Sequence, residues 1–336
     1  MTSERTKGGW MMTRVGMGAL MGCLLLANGA LAEVTTDLRA VPPPRRPMGF
    51  LDVITDSLAG PVYEPGRWKP LTADTFFSEG WDEPWAGGPN GQGGSGAPRQ
   101  GWLNAAEGVF YRLGIATVGY ADNTGNGSRW TSAVTLFTPL NRRFELRWDI
   151  PLILSSRGFA TPGSPYEISS PDFQLAPRFA ISETESSAQS FDITFRMPTG
   201  DVYNGQGQAA VTPFYNFWVN PWEGLVFRGG VGFGVPFGNQ SVNVLDARST
   251  FLGNFAFGYY FTDHDLTPIG DMVWYVATNL TQAIDHRGAN TTTLTFTPGF
   301  RTHLGGNWYL LGGTEIPVTS PEPFDYQVLG GLMKVW

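Results

Sequence analysis

The chain has 336 residues, 22 of them basic and 29 acidic, for a net charge of −7; 14% are aromatic and 44 are glycine. An acidic balance excludes a nucleic-acid binder, which needs a basic surface. Abundant aromatics together with abundant glycine fit a membrane barrel, with its aromatic girdles and closely packed strands.

The first thirty-two residues have the order of a secretory signal peptide: Arg14, an apolar run from Val15 to Ala27, then a small-x-small site at Ala30-Leu31-Ala32 before Glu33. The run is too short to span a bilayer, which needs about 18 apolar residues. Met11-Met12 offers a second start. Leu20-Met21-Gly22-Cys23 also resembles a lipoprotein cleavage box. If cleavage falls after Ala32, the mature chain loses its one cysteine, and thiol chemistry and disulfides are excluded. Removal of 1–32 takes away three basic groups and one acidic one, moving the net charge from −7 to −9.

Residues 33–100 differ in composition from the remainder of the chain. "VPPPRRP" is stiff and extended, and "GGPNGQGGSGAP" (Gly87–Pro98) is a flexible linker. Phe76, Phe77, Trp81 and Trp85 lie between them without a clear period. The stretch reads as an irregular periplasmic extension, and its aromatic cluster beside a linker suits a plug folded into a barrel lumen.

From Gly108 onward the residues alternate large apolar with small or polar, which places the two sets on opposite faces of strands. In "GLVFRGGVGFGVPFG", Leu225, Phe227, Val231, Phe233, Val235 and Phe237 share one face and Arg228 the other. Twelve strands are expected near 108–122, 129–138, 142–155, 171–183, 188–199, 208–220, 223–236, 247–262, 269–284, 291–304, 307–319 and 324–336. Connections alternate between short turns ("PLNRR", "SETES", "NPWEG", "TDHDLTP", "LGGN") and longer loops such as "SRGFATPGSPYEIS". A soluble sandwich has no reason to alternate loop length; a membrane barrel with both termini in the periplasm does. The fold class is therefore all-β: an antiparallel transmembrane β-barrel over 101–336.

A charge facing lipid at mid-depth costs about 2–4 kcal/mol. The charged alternate positions must then line the lumen: Arg143, Glu145, Arg147, Asp149, Arg178, Asp192, Arg196, Arg228, Arg301 and Glu315. They either set the selectivity of a passage or pair with one another and stiffen a filled barrel. Twelve strands lie between eight, which fill with side chains, and sixteen, which leave a channel.

Catalytic and nucleotide-binding patterns are absent. "GGVGFG" fails as a dinucleotide loop because Val235 takes the last glycine position, and no pair of histidines has zinc spacing. His264 reads as a solvated turn residue and His303 as the end of a strand. Asp285-His286 lies near the outer end of a strand, where neighbouring side chains point to opposite faces. The chain is not expected to be an enzyme or to carry a cofactor or metal; a barrel hydrolase acting through His286 is the remote alternative.

The segment "DFQLAPRFAISETESSAQSFDITFRMPTGD" (Asp172–Asp201), with "TPFYNFWVNPWEGLVFRGGVGFGVP" after it, resembles outer-membrane barrels of the MetA pathway of phenol degradation family. The resemblance covers 110–336 in style and is specific near 172–237. It implies a porin-like outer-membrane channel for passive uptake of small molecules, aromatic or poorly soluble compounds among them. The alternating last strand ending in Trp336 resembles the signal read by the barrel assembly machinery. Expected partners are thus that machinery, the outer-membrane bilayer and a small-molecule solute.

Overall fold

The computed structural model describes residues 49–60, 67–88, 97–124, 127–156, 167–200, 208–237, 249–284, 292–320 and 322–336. The proposed signal peptide, Cys23 and the Asp285-His286 pair lie outside the described residues.

Alternating segments with β-branched and aromatic residues form strands here because each face meets a different environment. They run in chain order β1 (Leu113–Asp122), β2 (Arg129–Pro139), β3 (Phe144–Ser156), β4 (Glu167–Ser169), β5 (Gln174–Glu183), β6 (Ser187–Arg196), β7 (Ala209–Trp222), β8 (Leu225–Phe237), β9 (Thr250–Tyr260), β10 (Gly270–Ala283), β11 (Thr292–Gly305), β12 (Trp308–Pro317) and β13 (Tyr326–Val335). Each pairs antiparallel with its neighbour, and β1 also pairs with β13, Leu113 opposite Val335 and Asp122 opposite Tyr326. The result is a closed barrel of twelve strands. The short β4 stands outside the ring count. It pairs with the far end of β3, above the stretch where β3 pairs with β5.

Closure of β1 on β13 leaves the described ring without a free first or last strand, as a wall that crosses a bilayer requires. The outward face is apolar. On β8 the exposed residues are Phe227, Val231, Phe233, Val235 and Phe237, and on β9 Phe255, Phe257 and Tyr259. The inward glycines of β8 have a definite use: a Cβ on Gly230 or Gly232 would collide with Phe214, which points inward from β7. Aromatics mark both rims, Trp222, Trp308 and Trp336 at one and Trp130 and Tyr326 at the other. Lys334 breaks the apolar pattern of β13 but reaches the rim, where its ammonium donates to the Gly306 carbonyl at 2.6 Å and lies 5.2 Å over the Trp308 ring.

The two ends of the barrel differ. One carries tight connections and both described termini; the β11–β12 turn, for example, is Gly306-Asn307 with φ of 57° and 62°, as a two-residue hairpin requires. At the other, the described strands end at the longer connections, most of whose residues lie outside the described ones.

The extension is more ordered than its composition implies. Phe50–Ala59 forms a helix, α1, whose first turn is capped by Asp52 accepting from the Gly49 amide at 3.0 Å. Leu71 makes a reciprocal backbone bridge with Glu183 at the end of β5. Arg143 is wrapped by this segment: it donates to the carbonyls of Thr72 and Glu79 at 2.9 Å each, and to Ala180 and Ile181 on β5 at 3.0 and 2.8 Å. Next to it Arg142 pairs with Glu83 at 3.0 Å, and Lys69 holds the other oxygen of that carboxylate at 2.8 Å. Burial pushes the Glu83 carboxyl up, but these two cations outweigh it and hold it below the usual range.

The chain does not enter the wall at 101. The first strand, expected from 108, begins at Leu113, and 97–112 lies inside the barrel.

Candidate functional site: the filled barrel interior

Residues 97–112 enter at the turn end, reach about mid-height and return to the same end, where Arg112 leads into β1. The turn at the tip is made by Asn104, with φ of 55°. A strand was expected to start near 108, yet 108–112 has no partner strand and β1 begins at Leu113. The amides of Leu103, Ala106 and Tyr111 donate to wall side chains instead, and that of Gly101 to Glu107 of the same piece.

The contacts follow the insert inward. Arg99 pairs with Glu183, donates to the Thr184 carbonyl at 3.1 Å and sits 5.2 Å over the Trp218 ring. The carbonyls of Pro98 and Gln100 accept from Arg301, the first at 2.9 Å. Trp102 stacks on Tyr275 with centroids 4.8 Å apart and 8° between planes, and Arg228 lies over its ring at 5.0 Å. The Leu103 amide donates to the Tyr275 hydroxyl at 2.7 Å. At the tip, the Asn104 side chain donates to Glu315 at 2.8 Å and Thr297 at 3.1 Å, and its carbonyl accepts from Asn254 at 2.7 Å. On the way back Glu107 forms an ion pair with Arg228 and offers its carbonyl to Arg178. Gly108 passes so close to the β7 backbone that a Cβ would sit 2.9 Å from the Phe217 carbonyl carbon.

The wall has its own charge ladder. Glu145, Arg178 and Asp192 are in register across β3, β5 and β6, and Arg178 pairs with both carboxylates. The other oxygen of Glu145 accepts from the Tyr111 amide of the insert at 3.1 Å.

The ten residues expected to line the lumen therefore fall into three groups. Glu145, Arg178, Arg228, Arg301 and Glu315 hold the insert, with Asp192 behind Arg178. Arg143 lies at the turn-end rim, enclosed by 72–79 rather than facing a passage. Arg147, Asp149 and Arg196 stand nearer the loop end and stay partly exposed: Arg147 pairs with Asp149 at 3.0 Å, and Arg196 lies 3.7 Å from Asp172. The insert residues that bind it to the wall, Trp102, Asn104 and Glu107, carry no motif. The signal that could have found them is the break in alternation at "GWLNAAEG" (Gly101–Gly108), a polar interruption before the first strand.

The segment of the family resemblance includes a pinned turn. Thr199 accepts from the Phe173 amide at 2.9 Å through its hydroxyl, and Asp172 accepts from the Gly200 amide at 2.9 Å. Pro198-Thr199-Gly200 thus braces the loop end of β6 against the start of β5.

Among solved structures, the chain is similar to the COG4313 outer membrane channel from Pseudomonas putida F1, with a TM-score of 0.53 and 10% identity over 70% of this chain and 99% of that one. The translocator domain of the autotransporter NalP from Neisseria meningitidis (12% identity over 67% of this chain and 86% of that one) and a bacterial polysaccharide outer membrane secretin (8% identity over 68% and 99%) align with TM-scores of 0.37 and 0.36. No protein-family model and no curated protein matches the chain. The first likeness shows the fold, a twelve-stranded barrel of the outer-membrane type.

Proposed function

We propose that this protein is an outer-membrane channel for passive uptake of small molecules, held shut by its own segment 97–112. One observation carries the reading: three buried wall arginines, Arg178, Arg228 and Arg301, direct donors to a segment that is not part of the wall. A barrel that served only as a scaffold could fill itself with wall side chains, as eight-stranded barrels do. A wider wall filled by a separate, polar-tethered piece of chain is what a closable passage needs.

Export through residues 1–32 and insertion by the assembly machinery belong to the same reading. Trp336 supports the second, since it ends a strand that closes the barrel and its amide donates to the Arg112 carbonyl at 3.1 Å. Arg147, Asp149 and Arg196 form the polar mouth on the loop side. The resemblance over 172–237 supports small aromatic or poorly soluble compounds as the solutes. The rival, a structural barrel with no passage, draws on the Glu145–Arg178–Asp192 ladder, which joins wall to wall and needs no solute.

Single-channel recording in a planar bilayer tests this. The intact chain is expected to be closed or to give rare steps, and the Trp102→Ala/Glu107→Ala double variant to give frequent ones. In that open background Arg147→Ala is expected to shift ion selectivity. Silence from both folded proteins would sink the channel and leave the structural barrel.

A further inference from the structure

Three side chains meet beneath the turn-end rim: His264 on the β9–β10 connection, Asp271 at the start of β10 and, from a distant part of the chain, His303 near the end of β11. One donor atom from each lies within 4.8 Å of the others. We propose that His264, Asp271 and His303 form a binding site for a divalent first-row transition-metal ion of the zinc type, which ties the β9–β10 connection to the barrel wall.

The first support is a pair of unpartnered atoms. His303 is 4% exposed and Asp271 fully buried, yet Nε2 of the one and Oδ1 of the other have no hydrogen-bond partner. Leaving a buried polar atom unpaired costs about 1–3 kcal/mol, so two in one small pocket call for a shared partner. The second support is the tautomer. Nδ1 of His303 lies 3.1 Å from the His264 carbonyl oxygen, which can only accept. Nδ1 therefore carries the proton and Nε2 keeps its lone pair, the arrangement that backbone carbonyls impose on metal-binding histidines.

The backbone adds a third. Asp271 has φ of 45° and sits in an irregularity between Gly270 and Val273 where the β10–β11 register shifts. Such a bulge re-aims a side chain, and here it turns the carboxylate inward to His264, whose Nδ1 is 2.6 Å from Oδ2. The Tyr309 hydroxyl, 3.4 Å from the same oxygen, supports it from β12. Arg301 lies over the Tyr309 ring and directs donors to the carbonyls of the insert.

Two imidazoles and one carboxylate suit zinc and its neighbours rather than magnesium or calcium. His264 and His303 stack at 4.2 Å with 15° between planes. His264 is the adjustable member, being part-exposed on a turn, and its ring has to rotate for all three donors to come within about 2.0–2.2 Å of one ion. The fourth position is left for water.

The test uses tag-free full-length protein refolded in detergent, with folding checked by heat-modifiable gel migration. Zn2+ is titrated calorimetrically, and Co2+ is added as an absorbing stand-in. One Zn2+ per chain in the micromolar range or tighter is expected, with a tetrahedral Co2+ spectrum. His303→Ala and His264→Gln should each weaken binding by about 100-fold or more, while His286→Ala should not. His264→Gln alters only a part-exposed turn residue, so it remains informative if the buried His303 variant fails to fold. No saturable binding, or binding that survives both substitutions, would overturn the site.

Discussion

Arg178→Met is expected to cost the barrel about 3–5 kcal/mol, the usual penalty for removing one partner of a buried ion pair. The setting is severe: the side chains of Arg178 and Glu145 are both 0% exposed and that of Asp192 3%. Methionine fills the space but leaves Glu145 without a cation and Asp192 with only Arg147, 3.7 Å away, and also removes the donor to the Glu107 carbonyl. The rings of Phe110 and Phe137, 5.3 and 5.2 Å from the guanidinium, offer no replacement charge to Glu145. Adding Glu145→Gln should recover part of the loss, because a neutral amide is cheaper to bury than an unpaired charge. Denaturant midpoints in lipid vesicles, followed by tryptophan fluorescence, measure both. A change below about 1 kcal/mol, the value of an exposed pair, would mean that water reaches the ladder and that the interior is not sealed.

Phe255→Arg should destabilise the barrel in lipid by about 2–4 kcal/mol, the cost of arginine on the lipid face near mid-depth. Phe255 is 48% exposed on the outward face of β9, opposite Gly229 and Thr278. Its ring neighbour Phe217 is 6.3 Å away, so little packing is lost and the bilayer dominates. On the surface of a water-soluble barrel the same change would stay within about 0.5 kcal/mol. Refolding into vesicles, with Phe255→Leu as the control, separates the two; equal stability of the arginine and leucine variants would remove the membrane from the account.

Period-two alternation made the wall legible. Phe227, Phe233 and Phe255 announce an apolar environment on one side, and Arg178, Arg228 and Arg301 a polar one on the other, whatever the partners are. The twelve-strand ring came from the same pattern, with offsets of a few residues at strand ends such as Gln174. The short β4 was hidden in an expected loop because three residues are too few to show a period. The filling of the lumen was legible only as a plug assigned to 33–100, whereas the piece inside the barrel is 97–112. An insert has no period of its own, and its polar groups are chosen to match a surface assembled from β3, β5 and β7–β12. Glu107 therefore looks like any loop carboxylate until Arg228 is brought to it. The His264–Asp271–His303 group was illegible for the same reason: strand pairing, not spacing, brings His303 to the other two.

The route of the insert also gives the barrel a direction. Segment 97–112 enters and leaves by the same end and runs straight into β1 at Leu113, so it is a hook on a leash and not a thread. It cannot be drawn out through the loop end. On the reading proposed above, a push from that side drives the hook toward its exit, and a push from the turn end does not. Any traction that opens it has to act on the chain before Pro98 and on the side of the membrane where the termini lie.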